Sequence, residues 1–520
     1  MKLNYKRTIC VGFAFFLICA FWQAYDNTIP MILTNKFGMS QTWSGFIMAL
    51  DNILALFLLP LFGAISDKCR SKLGRRTPFI LIGTLVAAVA LIALSFVDNM
   101  QLNQISAVSA IDDPNALQLI YQTESDKDLI TPDGDHFVLS EYFTEDEFSA
   151  ITSQIEVNGE LSTNDAYTNY VVPARQAYAW QATAESPATL IFFVVLLLII
   201  LVSMSTFRSP AVALMPDVTM KPLRSKANAI INLMGSAGGV LVLAVGVIFS
   251  TSAVSNSLMS YTTYFSVVAA IMLIALIIFM VTVREPQFVR EMQEESIKYS
   301  IEDTDEINDS QISKSGLSKE EKRSFLFILA SIVFWFMGYN AITSKYSVYA
   351  SNILHKDYNM TLIVAQIAAI IAYLPVGIIA SKLGRKRTIM AGVFLLTAAF
   401  FLGIFMTSSS PSLLMNLLFA LAGIAWATIN VNSFPMVVEM CSGSEVGKYT
   451  GYYYTASMGA QVVTPILSGY VMDKMGMTSL FPYASIFVAI SFFTMIFVKH
   501  GDSKPIAKTG LDALSEMDAD

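Results

Sequence analysis

Stretches of about 20 or more mostly apolar residues, each long enough to cross a hydrocarbon core, recur along nearly the whole chain. Twelve can be marked: 8–33, 43–66, 78–98, 187–216, 227–250, 262–283, 323–350, 360–381, 388–408, 411–438, 447–472 and 478–498. A peptide group in hydrocarbon has no water to bond, so each run must close its own hydrogen bonds as a helix. The expected fold class is an all-α membrane protein of twelve transmembrane helices. Of the 520 residues 54% are hydrophobic and only 14% charged, against about 25% charged in soluble domains, which excludes a soluble enzyme. Three polar stretches stand apart: 99–186, 285–322 and 499–520. The other connectors are short, so successive helices run antiparallel. The first run is too long for a signal core and lacks a small-residue cleavage site.

Lys and Arg sort by side. With the amino terminus inside, 26 of the 33 fall on inner segments, and such a bias sets orientation. The expectation is a multi-pass protein of the cell membrane, a bacterial plasma membrane, with both termini cytoplasmic. Residues 98–186 are then external and hold sixteen acidic residues against Lys127 and Arg175, a local charge of about −14 that accounts for the chain's net −7. Short apolar runs within this stretch predict a small folded cap of mixed helix and hairpin between the third and fourth helices. Asp133-Gly134-Asp135 reads as a turn, since no calcium-ligand spacing continues from it. Cys10, Cys19, Cys69 and Cys441 have neither metal-site nor redox spacing and read as apolar filler.

An internal repeat divides the chain. Ser71-Lys72-Leu73-Gly74-Arg75 returns as Ser381-Lys382-Leu383-Gly384-Arg385, and Pro60 with Gly63 is echoed by Pro375 with Gly377. In the first helix of each half, Phe21-Trp22 followed by Tyr25-Asp26-Asn27 is matched by Phe334-Trp335 followed by Gly338-Tyr339-Asn340. The expected organisation is a six-helix half over 1–284 carrying the insertion 99–186, a cytoplasmic linker 285–322, a second half over 323–498 and a tail 499–520. Two parallel repeats of six helices form a central site between halves that rock against each other.

The basic loops carry a family resemblance. Gly377-Ile-Ile-Ala-Ser-Lys-Leu-Gly384-Arg385-Lys386-Arg387 resembles the signature loop of the major facilitator superfamily, and Gly63 to Arg76 resembles it with a short insertion. Asp67 fills the acidic place of the first copy, and Ser381 stands there in the second. The stretch Gly63 to Ile80 looks like the corresponding loop of the plant sucrose/proton symporters, which belong with the glycoside-pentoside-hexuronide cation symporters. Arg208-Ser-Pro210-Ala-Val-Ala-Leu-Met-Pro-Asp217 is similar to that group's fourth-helix pattern. The resemblance implies a cytoplasmic gate cluster of Asp67, Arg75, Arg76, Asp217, Arg224, Gly384, Arg385 and Glu439. In the plant carriers the coupling acid lies nine residues before the proline matched by Pro210, where this chain has Leu201.

A charge at the bilayer centre costs several kcal/mol, so an ionisable residue inside a span is by default a functional one. Asp26, Asp51 and Arg208 qualify. A helical rise of about 1.5 Å per residue allows Asp26 and Asp51 to share one depth, and Arg208 falls near mid-membrane. A carboxylate among apolar residues beside a second one takes up a proton near neutral pH, or stays ionised and holds sodium. Arg208 offers five fixed donors, for sugar hydroxyls or for a carboxylate. Sugar recognition needs ring faces and directional amides. Trp22, Gln23, Tyr25 and Asn27 supply them in the first half, with Asn52 and Asn232. Trp335, Tyr339, Asn340, Gln366, Trp426 and Asn430 supply them in the second, with Tyr373, Asn432, Tyr453 and Gln461 plausible by depth.

The function expected from these residues is secondary active symport of a glycoside, a disaccharide such as sucrose or maltose, with protons or sodium by alternating access. There is no nucleotide loop of the Gly-x-x-x-x-Gly-Lys-Ser/Thr type, and no enzyme activity is expected. The alternatives are a drug or metabolite exporter of the same fold, with a more apolar cavity, and a transporter-like nutrient sensor. The implied partners are a sugar and the lipid bilayer, with no nucleic acid, no metal and no cofactor beyond the coupling ion, for a chain acting as a monomer.

Overall fold

The computed structural model of the protein describes residues 3–157, 160–220, 223–298, 318–438, 440 and 446–500. Its helices are α1 (Tyr5–Asn35), α2 (Gln41–Lys68), α3 (Thr77–Gln104), α4 (Ser106–Ser109), α5 (Pro114–Glu124), α6 (Leu139–Tyr142), α7 (Glu145–Ser149), α8 (Val172–Glu185) and α9 (Ala188–Asp217), followed by α10 (Arg224–Ile248), α11 (Thr262–Thr282), α12 (Glu285–Lys298), α13 (Lys319–Tyr349), α14 (Tyr358–Leu383), α15 (Arg385–Gly403), α16 (Ser412–Val438), α17 (Val446–Met475) and α18 (Leu480–Ile496). Among the described residues ten helical segments are long and apolar enough to cross a bilayer. The 26-residue α14 and the 30-residue α17 complete the twelve. α17 is less apolar because Tyr453, Ser457, Thr464 and Ser468 lie buried against other helices, where a polar side chain does not meet lipid. The protein is a multi-pass membrane protein.

The repeat in the sequence is a repeat in packing. In the first half α1 packs along α10 and α11, α3 along α9 and α11, and α2 along α9; in the second, α13 packs along α17 and α18, α15 along α16 and α18, and α14 along α16. Counting long helices within each half, these are the same five pairs. Each half buries its own apolar core, one around Phe21, Leu94, Phe207 and Phe265, the other around Trp335, Phe400, Tyr453 and Phe481. The halves meet through α2 on α17, α10 on α14 and α1 on α13.

Residues 105–186 fold as a separate cap at one end of the bundle. Two hairpins, β1 (Asp128–Ile130) with β2 (His136–Val138) and β3 (Gln154–Val157) with β4 (Glu160–Thr163), join α4 to α8. A core of Ile105, Leu117, Phe137, Phe148 and Tyr167 holds them. The end of the bundle that carries this insertion is the cap face, and the opposite end, with loop 69–76 and the turn at Gly384 between α14 and α15, is the basic face.

On the cap face the seam between α2 and α17 is backbone against backbone. A Cβ added at Gly45 would lie 1.9 Å from Pro465 O, and one at Gly469 would lie 2.2 Å from Gln41 O, so only glycine fits at either place. The expected linker opens as α12, whose first residue, Glu285, is buried and caps α3. Its carboxylate accepts from Arg75 N, Arg76 N and Thr77 N at 2.7–3.0 Å and from Thr77 Oγ1 at 2.8 Å, satisfying amides that have no partner within their own helix.

Candidate functional site

A cavity of about 450 Å³ lies between the halves. Trp22, Gln23, Asp26 and Asn27 reach it from α1, Asp51 and Asn52 from α2, Arg208 from α9 and Asn232 from α10. Tyr339 and Asn340 of α13, Gln366 and Tyr373 of α14, Trp426 and Asn430 of α16 and Gln461 of α17 face them from the second half. The two sides differ in chemistry. Among the described lining residues all the charge, Asp26, Asp51 and Arg208, sits on the first half. The second half brings a ring platform, in which Tyr339 and Trp426 stack with centroids 3.6 Å apart and planes at 4°.

Asp26, Asp51 and Arg208 lie within electrostatic reach of one another. Asp51 Oδ1 accepts from Asn52 Nδ2 at 2.8 Å. The Arg208 guanidinium lies over the Trp22 ring, 5.8 Å from its centroid, and among the described residues no carboxylate stands within 4.0 Å of it. Arg208 therefore makes no ion pair with a described carboxylate in this state. Gln366 Nε2 donates to Gln23 Oε1 at 2.5 Å across the cavity. Among the described residues the buried Trp22 Nε1, Asn340 Nδ2 and Gln366 Oε1 have no partner, and a buried polar atom left so calls for a ligand or water.

Two expected lining residues do not reach the cavity. Tyr25 is 2% exposed and packs on Phe21 and Trp22, and Trp335 is 1% exposed within the second core. Each sits about 100° of helix, one residue's turn, from the centre of the lining face on its helix. Asn432 and Tyr453 are buried as well, with Asn432 Nδ2 donating to Thr428 O and the Tyr453 hydroxyl bonded to Ser433 Oγ.

On the basic face Asp67, Arg75, Arg76 and Asp217 come together from α2, the following loop and α9. Arg76 Nε donates to Asp217 Oδ2 at 2.8 Å, its Nη2 pairs with Asp67 Oδ1, and Arg75 Nη2 lies 3.3 Å from Asp217 Oδ2. Arg224 does not join them: its guanidinium donates to the carbonyls of Pro216, in the last turn of α9, and Thr219, just past it. Arg385, next to Gly384, is buried on the second half, and Glu439 lies outside the described residues.

Sequence reading missed the polar ties of the cap face. Asp473 of α17 accepts from Gln41 N, Thr42 N and Thr42 Oγ1, and Lys345 Nζ of α13 donates to Gln41 O at 2.6 Å. Ser252 Oγ donates to Asp357 Oδ1, and Thr251 bonds with Tyr358 and Asn359. The cavity is closed toward that face. Within the first half Lys36 Nζ, fully buried, bonds both oxygens of Asp98 at 2.6 and 2.7 Å and Met259 O at 2.7 Å. No spacing rule links residues so far apart, and the only local signal was a charge at the end of an apolar run.

Twelve helices in two equivalently packed halves around a central polar cavity define the class of rocker-type secondary transporter folds. Residues 177–372 and 354–515 match the family model described as Major Facilitator Superfamily, and residues 10–110 match one described as MFS/sugar transport protein. The chain belongs to the major facilitator superfamily. It is 44% identical over 59 residues to "Sucrose transport protein SUC3" of Arabidopsis thaliana and 41% identical over 59 residues to "Sucrose transport protein SUT4" of Oryza sativa subsp. indica. These matches span 11% of this chain and 10% of each relative. Among solved structures, the inward open xylose transporter XylE of E. coli aligns with TM-score 0.57 and 15% identity over 98% of this chain and 99% of that one. A bacterial homologue of the iron transporter ferroportin aligns with TM-score 0.60 and 10% identity over 96% and 100%. Both share the fold.

Proposed function

We propose that this protein carries a glycoside, of disaccharide size such as sucrose or maltose, together with a proton or a sodium ion by alternating access. The observation that carries the reading is the division of the cavity into a charged wall and an aromatic one. Two carboxylates and one guanidinium leave one net negative charge among the lining residues. Enclosing that charge away from water is costly in a low dielectric, and a proton or Na⁺ on Asp26 or Asp51 cancels it. The halves then close over the site at least cost with the cation aboard, which couples cation to sugar. The outer face of the Tyr339–Trp426 stack fits the apolar face of a pyranose, and Trp22 Nε1, Asn340 Nδ2 and Gln366 Oε1 offer donors and an acceptor for its hydroxyls. A volume of about 450 Å³ is within the range of small-ligand sites. The similarity to sucrose transport proteins and to a xylose transporter supports a sugar, and the Lys and Arg bias supports a cytoplasmic basic face and external cap. On this reading the Asp67, Arg75, Arg76 and Asp217 cluster serves as a gate at the basic face, and the protein works as a monomer without a cofactor.

The test is uptake of radiolabelled sucrose and maltose into proteoliposomes under an imposed inward proton or sodium gradient. We expect accumulation, and its loss in Asp26→Asn or Asp51→Asn while sugar exchange persists. Arg208→Ala is expected to weaken both. Absence of accumulation for these and other glycosides under either gradient overturns the reading and favours an exporter or a sensor.

A further inference from the structure

The cap is built as one body with a core of its own, and it touches both halves. On the first half α8 lies directly on the turn between α1 and α2: a Cβ at Gly38 would meet Gln176 O at 2.2 Å and Trp180 N at 2.4 Å. Gln176 Nε2 donates to Asn35 Oδ1 at 3.2 Å, and Gln101 Nε2 to Thr183 Oγ1 at 2.9 Å. Val254 and Leu258, from the loop between α10 and α11, enter the cap's apolar core. These contacts make the cap a rigid extension of the first half.

Two footholds reach the second half. At one, the β1–β2 turn meets the turn between α17 and α18: Met477 N donates to Pro132 O at 2.6 Å. There Gly134 and Gly476 press together with φ of +95° and +84°, and a Cβ at Gly134 would lie 2.8 Å from Gly476 N. At the other, Thr168 Oγ1 lies 3.3 Å from His355 Nε2, just past α13, Asp165 Oδ1 lies 3.8 Å from the same nitrogen, and Ser408 Oγ, between α15 and α16, donates to Asp165 Oδ1 at 3.5 Å. The footholds therefore include the cap-face ends of α17 and α13, the two helices whose Asp473 and Lys345 tie them to α2.

We propose that the insertion is a clamp between the halves, which holds the cap face shut and sets how often that face opens. The cap cannot follow both halves when they part, so opening breaks the footholds, and their strength enters the equilibrium between the two access states. The inference rests on the alternating-access reading above.

The test follows the chemical accessibility of a seam position in the full chain. With the four native cysteines replaced by serine, Ser44→Cys places a thiol on α2 at a site 0% exposed in this state, and its labelling rate by a bulky maleimide is measured on the purified protein. Gly134→Val, which wedges the first foothold, is expected to raise the rate about three- to tenfold, the equivalent of one or two lost hydrogen bonds. A Pro132→Cys, Met477→Cys pair is expected to slow labelling several-fold when oxidised beforehand, with recovery on reduction. Asp473→Asn, which loosens the seam itself, separates the two readings. If it speeds labelling while neither the valine nor the cross-link changes the rate, the cap rides on the first half alone and the clamp is wrong. If no variant changes the rate, alternating access falls together with the clamp.

Discussion

Asp473 caps a helix that belongs to the other half of the protein: its carboxylate, at the end of α17, accepts from the amides of Gln41 and Thr42 at 2.7 and 2.8 Å, the first two residues of α2. A carboxylate at a helix N-terminus satisfies donors that the helix leaves free and faces the positive end of its dipole. Here the stabilisation exists only while the cap face is shut. Asp473→Ala is expected to remove about 1–2 kcal/mol from the closed state. Spin labels on the exposed Trp43→Cys and Tyr470→Cys positions will then show a second, longer distance. An unchanged distance distribution would mean that the Asp473 carboxylate contributes little to the seam.

The pair Lys36 and Asp98 behaves differently, because both lie in one half and neither side chain is exposed. Removing one partner strands the other charge, at about 3–5 kcal/mol, whereas replacing both by apolar residues is far milder. Asp98→Asn is expected to lower the melting temperature in detergent markedly, and Lys36→Met with Asp98→Leu to recover most of it. Equal melting of the single and double variants would count against a buried charge pair.

For Tyr339 and Trp426 we expect a binding phenotype. The two rings lie face to face and hold each other in place, leaving an outer ring face for the sugar, so Trp426→Ala should weaken sugar binding about 5- to 50-fold, through lost ring contact or lost order in Tyr339, while Trp426→Phe should lose less. Titration in detergent by isothermal calorimetry measures both, and equal affinities would place the sugar elsewhere.

His355 gives the cap a pH dependence. Burial holds its imidazole below the ordinary value, opposed by the Ser351 carbonyl and by Asp165, while Lys356 adds to the lowering. A group whose folded value is depressed in this way is neutral when docked, and protonation favours release. The contribution is intact above the ordinary imidazole value of about 6.5 and declines as pH falls through it toward the lowered value. Melting temperature is thus expected to fall between about pH 7 and pH 5.5, and His355→Gln should flatten that part of the profile.

Much of the architecture was legible because membrane helices write their length and their hydrogen-bonding problem into composition. The twelve apolar runs correspond to the twelve long helices, and the 310-residue echo between Ser71 and Ser381 corresponds to the repeated helix pairings. The cavity was legible less directly. Polar residues inside a span are rare enough to stand out, so Asp26, Asp51 and Arg208 could be named. Tyr25 and Trp335 were named as ring faces of the repeated motif and do not line the cavity, because a motif shared between two helices says nothing about the angle at which each residue leaves its helix. The ties of Asp473, Lys345 and Glu285 join residues hundreds of positions apart, from charges at or near the ends of apolar runs that look ordinary, and only the packing reveals them.

The glycines at the seam bear on leakage. Where α2 and α17 touch through Gly45 and Gly469 there is no layer of side chains to breathe between them, and no width for a file of water molecules. Protons and small ions pushed by a membrane voltage need such a file to pass. A contact of this kind is insulated when shut and gives way only as a whole, so an ion gradient across the membrane is not dissipated through it.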